Sequence, residues 1–362
     1  MVRSIAKLFT LSNLLLGALV AFPPTSSPEL DALLNQIRTE IFLPNHLKSM
    51  HNELMYRESL HHFITGEEPV VVPVKTVDAV DESKTGEEKI TLEPKRHFDK
   101  PGTKKFLNKW LELLDTKEDW AMVPAFLHEF NALPKRNLTT GNISKLIRAA
   151  ANKGQYGLVI EMFRRCEETG LRFHEKETAM EVMLLCLQRA YAGAWTQREV
   201  DKAVRHADAA CWLMQTPLHA PVEGPNMSRN PEIVGSALAL AAVQSAKFKE
   251  FKDDEDGKVT RYAQDLLKLW PDANLSYDES NVGKTNKFLL GWAPTWLGVQ
   301  LAQKIVKDVK TLQRLHDMMD DQLSFSIMQA KDTLQTSQEG REEVWRGLRL
   351  YNELAAVLEQ TV

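Results

Sequence analysis

Cysteine is scarce in this chain. Three thiols in 362 residues, Cys166, Cys186 and Cys211, are an odd number at wide spacings inside apolar helical patterns. That excludes a disulfide framework and any CxxC redox or zinc pair, and it predicts buried thiols in a reducing compartment. Glycine and proline are few, 17 and 16, so fibrous or low-complexity architectures are excluded. An excess of either charge is lacking too. Acidic residues number 49 against 45 basic ones, a net charge of -4 that excludes a surface coated all over for nucleic acid and leaves only a local basic face.

The geometric seeds of chemistry are also missing. No GxSxG elbow, GxGxxG turn or HExxH pair occurs, and His61, His62, His128, His174, His206 and His219 are scattered. Gly283-Lys284-Thr285 lacks the glycine a phosphate loop needs five residues earlier, where Asp278 stands, so it is expected in an exposed loop between helices. Asp253 to Gly257 has the acids of a calcium loop, but Lys252 and Ala263 fall on the first and last ligand positions. A solvated loop is expected there. No catalytic residue, metal, cofactor or small-molecule substrate is nominated, and the chain is expected not to be an enzyme.

What is present is mainly helical periodicity. Residues 1–24, carrying Arg3 and Lys7 and no acid before Glu29, are expected to be a targeting leader outside the fold. A mitochondrial presequence is favoured. A secretory signal, suggested by Leu14 to Phe22 and the sequons at Asn137, Asn142, Asn226 and Asn274, and a retained membrane anchor stay open. A helical arm is expected over 25–65: Ser27 caps it, Pro28 takes the first position, and Leu30, Leu33, Leu34, Ile37 and Ile41 form one stripe ending before Pro44. A second helix is expected from about His46 to His62. Residues 66–103 lose the 3.6 period and predict an extended acidic linker with a short strand at Val70 to Val72, ordered only on a partner. From 104 onward the spacing predicts helical hairpins over 104–231 and further helices with a cap over 232–362. The cap is expected as two long helices, Thr295 to Ala330 and Arg341 to Leu358.

Asn142 to Glu175, NISKLIRAAANKGQYGLVIEMFRRCEETGLRFHE, resembles a pentatricopeptide repeat. Leu146-Ile147 and Met162-Phe163 occupy the apolar pairs of its two helices, with Gly154 in the turn and Gly170-Leu171 at the end. The residues agree independently, since Ile143, Leu146, Ile147 and Ala150 share one helical face and Val159, Met162, Phe163 and Cys166 another. Phe106 to Pro134 resembles a degenerate copy at an offset of 36, pairing Trp110 with Leu146 and Trp120 with Tyr156. The units after Pro231 are more similar to tetratricopeptide helices. Phe173-His174 stands where the family ends its repeat with Pro-Asp, so its base-reading code does not carry over.

The resemblance implies an all-α solenoid of helical hairpins that works by binding. In overall style the chain is similar to fungal mitochondrial ribosomal or gene-expression proteins. That implies a non-catalytic scaffold of, or factor on, the mitochondrial ribosome, with mitochondrial ribosomal proteins and RNA as partners, located in the matrix. The alternative is a membrane-associated assembly factor for respiratory-chain subunits, with membrane contact through the leader alone. Lys145, Arg148, Lys153, Arg164 and Arg165 are the nominated RNA-phosphate contacts, within a basic cluster that also includes Lys104-Lys105 and Lys135-Arg136. Trp292 and Trp296, four apart, are nominated as a partner anchor, against the alternative that they wedge helices in the core.

Overall fold

The computed structural model describes residues 17–96, 103–134, 138–221, 223–318, 322–338 and 343–361. The protein is mostly helical with one small sheet, and it divides into two compact units, one ending at Leu171 and one beginning at Arg172. The division falls inside the stretch 104–231 that the sequence treats as one block. Arg3, Lys7, Asn137, Lys135-Arg136 and the break near Gly340 lie outside the described residues.

In the first unit, α1 (Pro28–Ile37) starts as its capping residues dictate: the Ser27 hydroxyl accepts from the Leu30 amide at 3.2 Å, and Pro28 needs no partner at the first position. Leu30, Leu33, Leu34 and Ile37 are buried on its inner face. The chain stays helical beyond the predicted end, through a π turn over Arg38–Phe42 and a last turn over Leu43–His46 that takes Pro44 in its first positions. The second predicted helix is shorter, α2 (Ser49–Tyr56), and after Arg57 the chain tightens into a 3-10 turn over Glu58–Phe63.

The stretch expected as a linker is a β-hairpin, which also corrects the all-α assignment. Strand β2 (Val71–Asp78) pairs antiparallel with β3 (Thr85–Thr91), and β1 (Leu19–Ala21) adds in parallel along Thr76 to Asp78. Alternation over Val72, Val74 and Thr76 turns those side chains inward, a period of two that the flanking charges obscure in the sequence. Strand β3 is the outer edge, and Glu87, Glu88 and Lys89 guard it against pairing with another chain. The hairpin is paired within the chain, β2 to β3 on one side and to β1 on the other.

The leader boundary needs the same correction, because residues up to 24 include part of the core. Leu19 and Val20 are buried, and Phe22 lies 6.5 Å from Phe126, centroid to centroid. Phe126 stacks on Trp110 at 3.8 Å and takes the edge of Phe42 at 5.4 Å. Leader, arm and helical body therefore share one aromatic core, so the arm is not separated from the body. That body comprises α3 (Thr103–Leu113), α4 (Lys117–Ala121), α5 (Val123–Asn131), α6 (Thr140–Asn152), α7 (Tyr156–Arg164) and α8 (Cys166–Thr169). Helix α3 packs on α6 and α5 on α8. Gly170, at φ +73, ends α8 in the left-handed cap its sequence predicts.

Asp119 locks the entry to this unit. Its buried carboxylate accepts from the Ser26 amide at 3.0 Å and hydroxyl at 2.6 Å, and from the Thr116 and Asp115 amides at 2.9 and 3.2 Å. Burial alone would raise its pKa, but the donors from Ser26 and Thr116 outweigh it and hold the group down at about 2. A carboxyl depressed in the folded state stabilises above its unfolded pKa of about 4 and loses that contribution as pH falls toward 2. Asp119→Asn is expected to cost about 2 kcal/mol at pH 7 and to flatten the urea midpoint between pH 4 and 2 relative to wild type. Equal pH dependence in both proteins would refute this assignment.

The second unit comprises α9 (Lys176–Ala192), α10 (Gln197–Met214), α11 (Pro231–Phe248), α12 (Lys258–Leu269), α13 (Val282–Ile305), α14 (Val309–Met318), α15 (Ser324–Thr336) and α16 (Arg346–Thr361). Helix α13 is its axis, packed against α11, α15 and α16 and apolar nearly all round, as a helix buried on every side must be. It continues through Pro294, which removes one main-chain hydrogen bond without ending the helix. Gly283 to Thr285 form its first turn and not a loop, with the Asn281 side chain accepting from the Lys284 amide at 3.1 Å. The stretch expected as one helix from Thr295 to Ala330 is divided between α13, α14 and α15.

Candidate nucleic-acid interface

Helix α6 forms because Thr139 caps the Asn142 amide at 3.3 Å and because Ile143, Leu146, Ile147 and Ala150 face the core. Lys145 and Arg148 are left on its outer side, both exposed. The Lys145 ammonium donates to Asn108 Oδ1 at 3.0 Å, and Arg148 Nε to the Ser144 carbonyl at 3.0 Å. Lys153 pairs with Asp115, and Arg164 with Glu161 at 3.3 Å, both at exposed sites where such pairs are worth little and phosphate competes readily.

Arg165 is different and corrects its nomination. It sits half-buried between Glu82, at 2.5 Å, and Glu168, at 2.5 Å, fastening the hairpin turn to the start of α8. Burial would lower its pKa, but the two carboxylates outweigh burial and raise it. This guanidinium is a strut within the fold. Nothing local in the sequence links it to Glu82, 83 positions away. Of the rest of the basic cluster, the side chains of Lys104 and Lys105 and all of Lys135 and Arg136 lie outside the described residues.

Trp292 and Trp296 are also corrected, since both are buried, 2% and 9% exposed. Trp292 meets Trp270 edge-on at 5.9 Å, and Trp296 lies against Tyr351 at 5.4 Å. They wedge α13 against its neighbours and offer no anchor to a partner. The exposed tryptophan is Trp212 on α10, at 64%, which a reading centred on the basic residues of α6 to α8 overlooks.

The acidic run before α12 is a cap. Asp253 accepts from the Val259 and Thr260 amides at 2.9 Å each and from the Thr260 hydroxyl at 2.7 Å. Those donors lower its pKa against the opposing effect of burial. Among the described residues no cluster of His, Cys, Asp or Glu is arranged to hold a metal ion, and no helix is long and apolar enough to cross a membrane. All three cysteines are free and buried. Burial, reinforced by nearby Asp208, pushes the Cys211 thiol up to about 12, and burial also raises Cys186. Neither supplies a thiolate at neutral pH.

Comparison with known proteins adds the family. The chain is similar to the small ribosomal subunit protein mS27 of Neurospora crassa, 22% identical over 275 residues that cover 70% of this chain and 65% of the relative's length. The family model described as mitochondrial ribosomal protein mS27 matches residues 7–353, nearly the whole sequence. The chain belongs to the mitochondrial ribosomal protein mS27 family.

Proposed function

We propose that the protein is a structural, non-enzymatic component of the small subunit of the mitochondrial ribosome, binding neighbouring ribosomal proteins and ribosomal RNA. The observation that carries this is the family match across residues 7–353, which also places the protein in the mitochondrion. A buried, motif-free interior with paired and exposed charges outside suits such a scaffold.

Within this reading, α3 to α5 and α6 to α8 are two diverged pentatricopeptide-like hairpins. Packing of first helix on first and second on second supports it. So does the spacing of the bonds between them. Asn131 donates to the carbonyls of Glu167 and Glu168, Lys145 to Asn108, and Lys153 pairs with Asp115, at separations of 36 to 38 residues. Lys145, Arg148, Lys153 and Arg164 are the cations of this face that would meet phosphate.

Sucrose-gradient sedimentation of detergent-lysed mitochondria, with and without EDTA to separate the subunits, tests the reading. The protein is expected to migrate with the small subunit under both conditions. Residence only in light or membrane fractions would overturn it.

A further inference from the structure

The outer face of α10 carries a regular pattern. Arg198, Arg205 and Trp212 recur every seven residues, which on an α-helix leaves them in one line about 10 Å apart. Arg198 is 82% exposed in its side chain and Trp212 64% exposed overall. The acids of the same helix are all engaged by neighbouring side chains. Glu199 accepts from Arg189 at 2.9 Å and Lys202 at 3.1 Å, Asp201 from Gln244 at 2.7 Å, and Asp208 from Lys258 and Tyr262 at 2.7 Å each. No carboxylate of the described residues pairs with Arg205. An acidic chain thus presents, on this face, Arg205 without a counter-charge and Arg198 only loosely paired with Glu199, at 3.7 Å, beside a bare indole.

We propose that this face of α10 is a binding site for single-stranded RNA, with Trp212 stacking on a base and Arg205 and Arg198 neutralising successive phosphates. Aromatic platforms joined to cationic tracks are how proteins hold unpaired strands. The bases of a duplex are already stacked on one another, so an exposed indole selects unpaired nucleotides. The core of a protein interface would instead need a contiguous apolar patch depleted of charge, whereas Trp212 is preceded along its line by two arginines. A polar cavity borders the end of the helix. Cys211 and Gln215, on either side of Trp212, line this cavity of about 840 Å³, whose wall includes the exposed Arg229.

The site rests on the ribosomal reading for its biological RNA, but not for its test. Anisotropy of fluorescein-labelled oligouridylate with the purified full-length protein should show salt-dependent binding. Trp212→Ala should weaken it by about 5- to 100-fold and Trp212→Phe far less. Arg205→Ala should lower the slope of log affinity against log salt by about 0.7. These side chains are exposed, so the thermal melts of all three variants should match wild type. Wild-type protein that fails to bind the oligonucleotide, or Trp212→Ala and Arg205→Ala proteins that bind like wild type, would overturn the site. Co-migration with the small subunit alongside such a result would leave the ribosomal reading standing. Trp212-dependent binding by a protein that sediments apart from the subunit would do the reverse.

Discussion

A chain beginning at Thr25 is expected not to fold its amino-terminal unit, whereas one beginning at Gly17 folds it fully. Leu19 and Val20 are 0% and 1% exposed, and Phe22 packs against Phe126. Burying each such side chain contributes roughly 1.5 to 3 kcal/mol. The backbone of β1 is committed as well: the Val20 amide donates to Glu129 Oε1 at 2.9 Å, its carbonyl accepts from Arg38 Nε at 2.7 Å, and the Ala21 carbonyl accepts from the Ala79 amide at 3.0 Å. Without the strand, buried Glu129 keeps His46 at 2.8 Å but loses its amide donor, a further penalty of about 1 to 3 kcal/mol. Counting only Leu19, Val20 and the lost donor, the total, roughly 4 to 9 kcal/mol, rivals the whole stability of an ordinary domain. Limited proteolysis with mass spectrometry is the measurement, with cleavage expected throughout residues 25–171 of the shorter protein and protection in the longer one. Equal protection would show that β1 is dispensable.

That result bears on what the sequence could disclose. The start of α1 at Ser27-Pro28, the two helical faces of α6 and α7 and the left-handed stop at Gly170 were legible, because each follows from neighbours a few residues apart. Strand β1 was not. Leu14 to Phe22 is as apolar as a leader, and only its pairing with Thr76 to Asp78, more than fifty residues on, makes part of it a strand. The hairpin was hidden for a related reason: Pro73 and the acids around it suit a linker, while the inward row Val72, Val74, Thr76 needs a core contributed from elsewhere. Among the nominated contacts, Arg165 failed because its partner Glu82 is remote, and Trp292 and Trp296 failed because spacing on a helix says which residues share a face but not whether that face is covered. Trp212 shows the converse. Its register with Arg198 and Arg205 was readable from spacing alone, but its meaning depends on where the acids of the same helix turn.

Replacing Gly298 by leucine is expected to unfold the carboxy-terminal unit, and even Gly298→Ala is expected to destabilise it. In an ordinary helix interior, exchanging glycine for alanine gains about 1 kcal/mol. Here a Cβ would stand 2.8 Å from the Ala239 amide nitrogen and 3.1 Å from its Cα, so the obstacle is the main chain of α11 and cannot rotate away. The contact is reciprocal along the helices, since a Cβ on Gly235 would lie 1.9 Å from Thr295 Oγ1. Small residues set the separation of α11 and α13, and through α13 they position α15 and α16. Lifting α13 would break the packing of Leu297, Val299 and Leu301, all fully buried. Overpacking a tight core costs about 1 to 3 kcal/mol, and a rigid backbone obstacle puts leucine at or beyond the top of that range. Urea unfolding followed by fluorescence of the buried Trp292 and Trp296 measures it. Gly141→Ala in α6, where the nearest atom, Thr139 Oγ1, is 3.9 Å away, is the control and should leave the midpoint unchanged or raise it. A Gly298→Ala protein as stable as wild type would mean that α11 and α13 can part without penalty, and that the axis of this unit is set by something other than the close approach of their backbones.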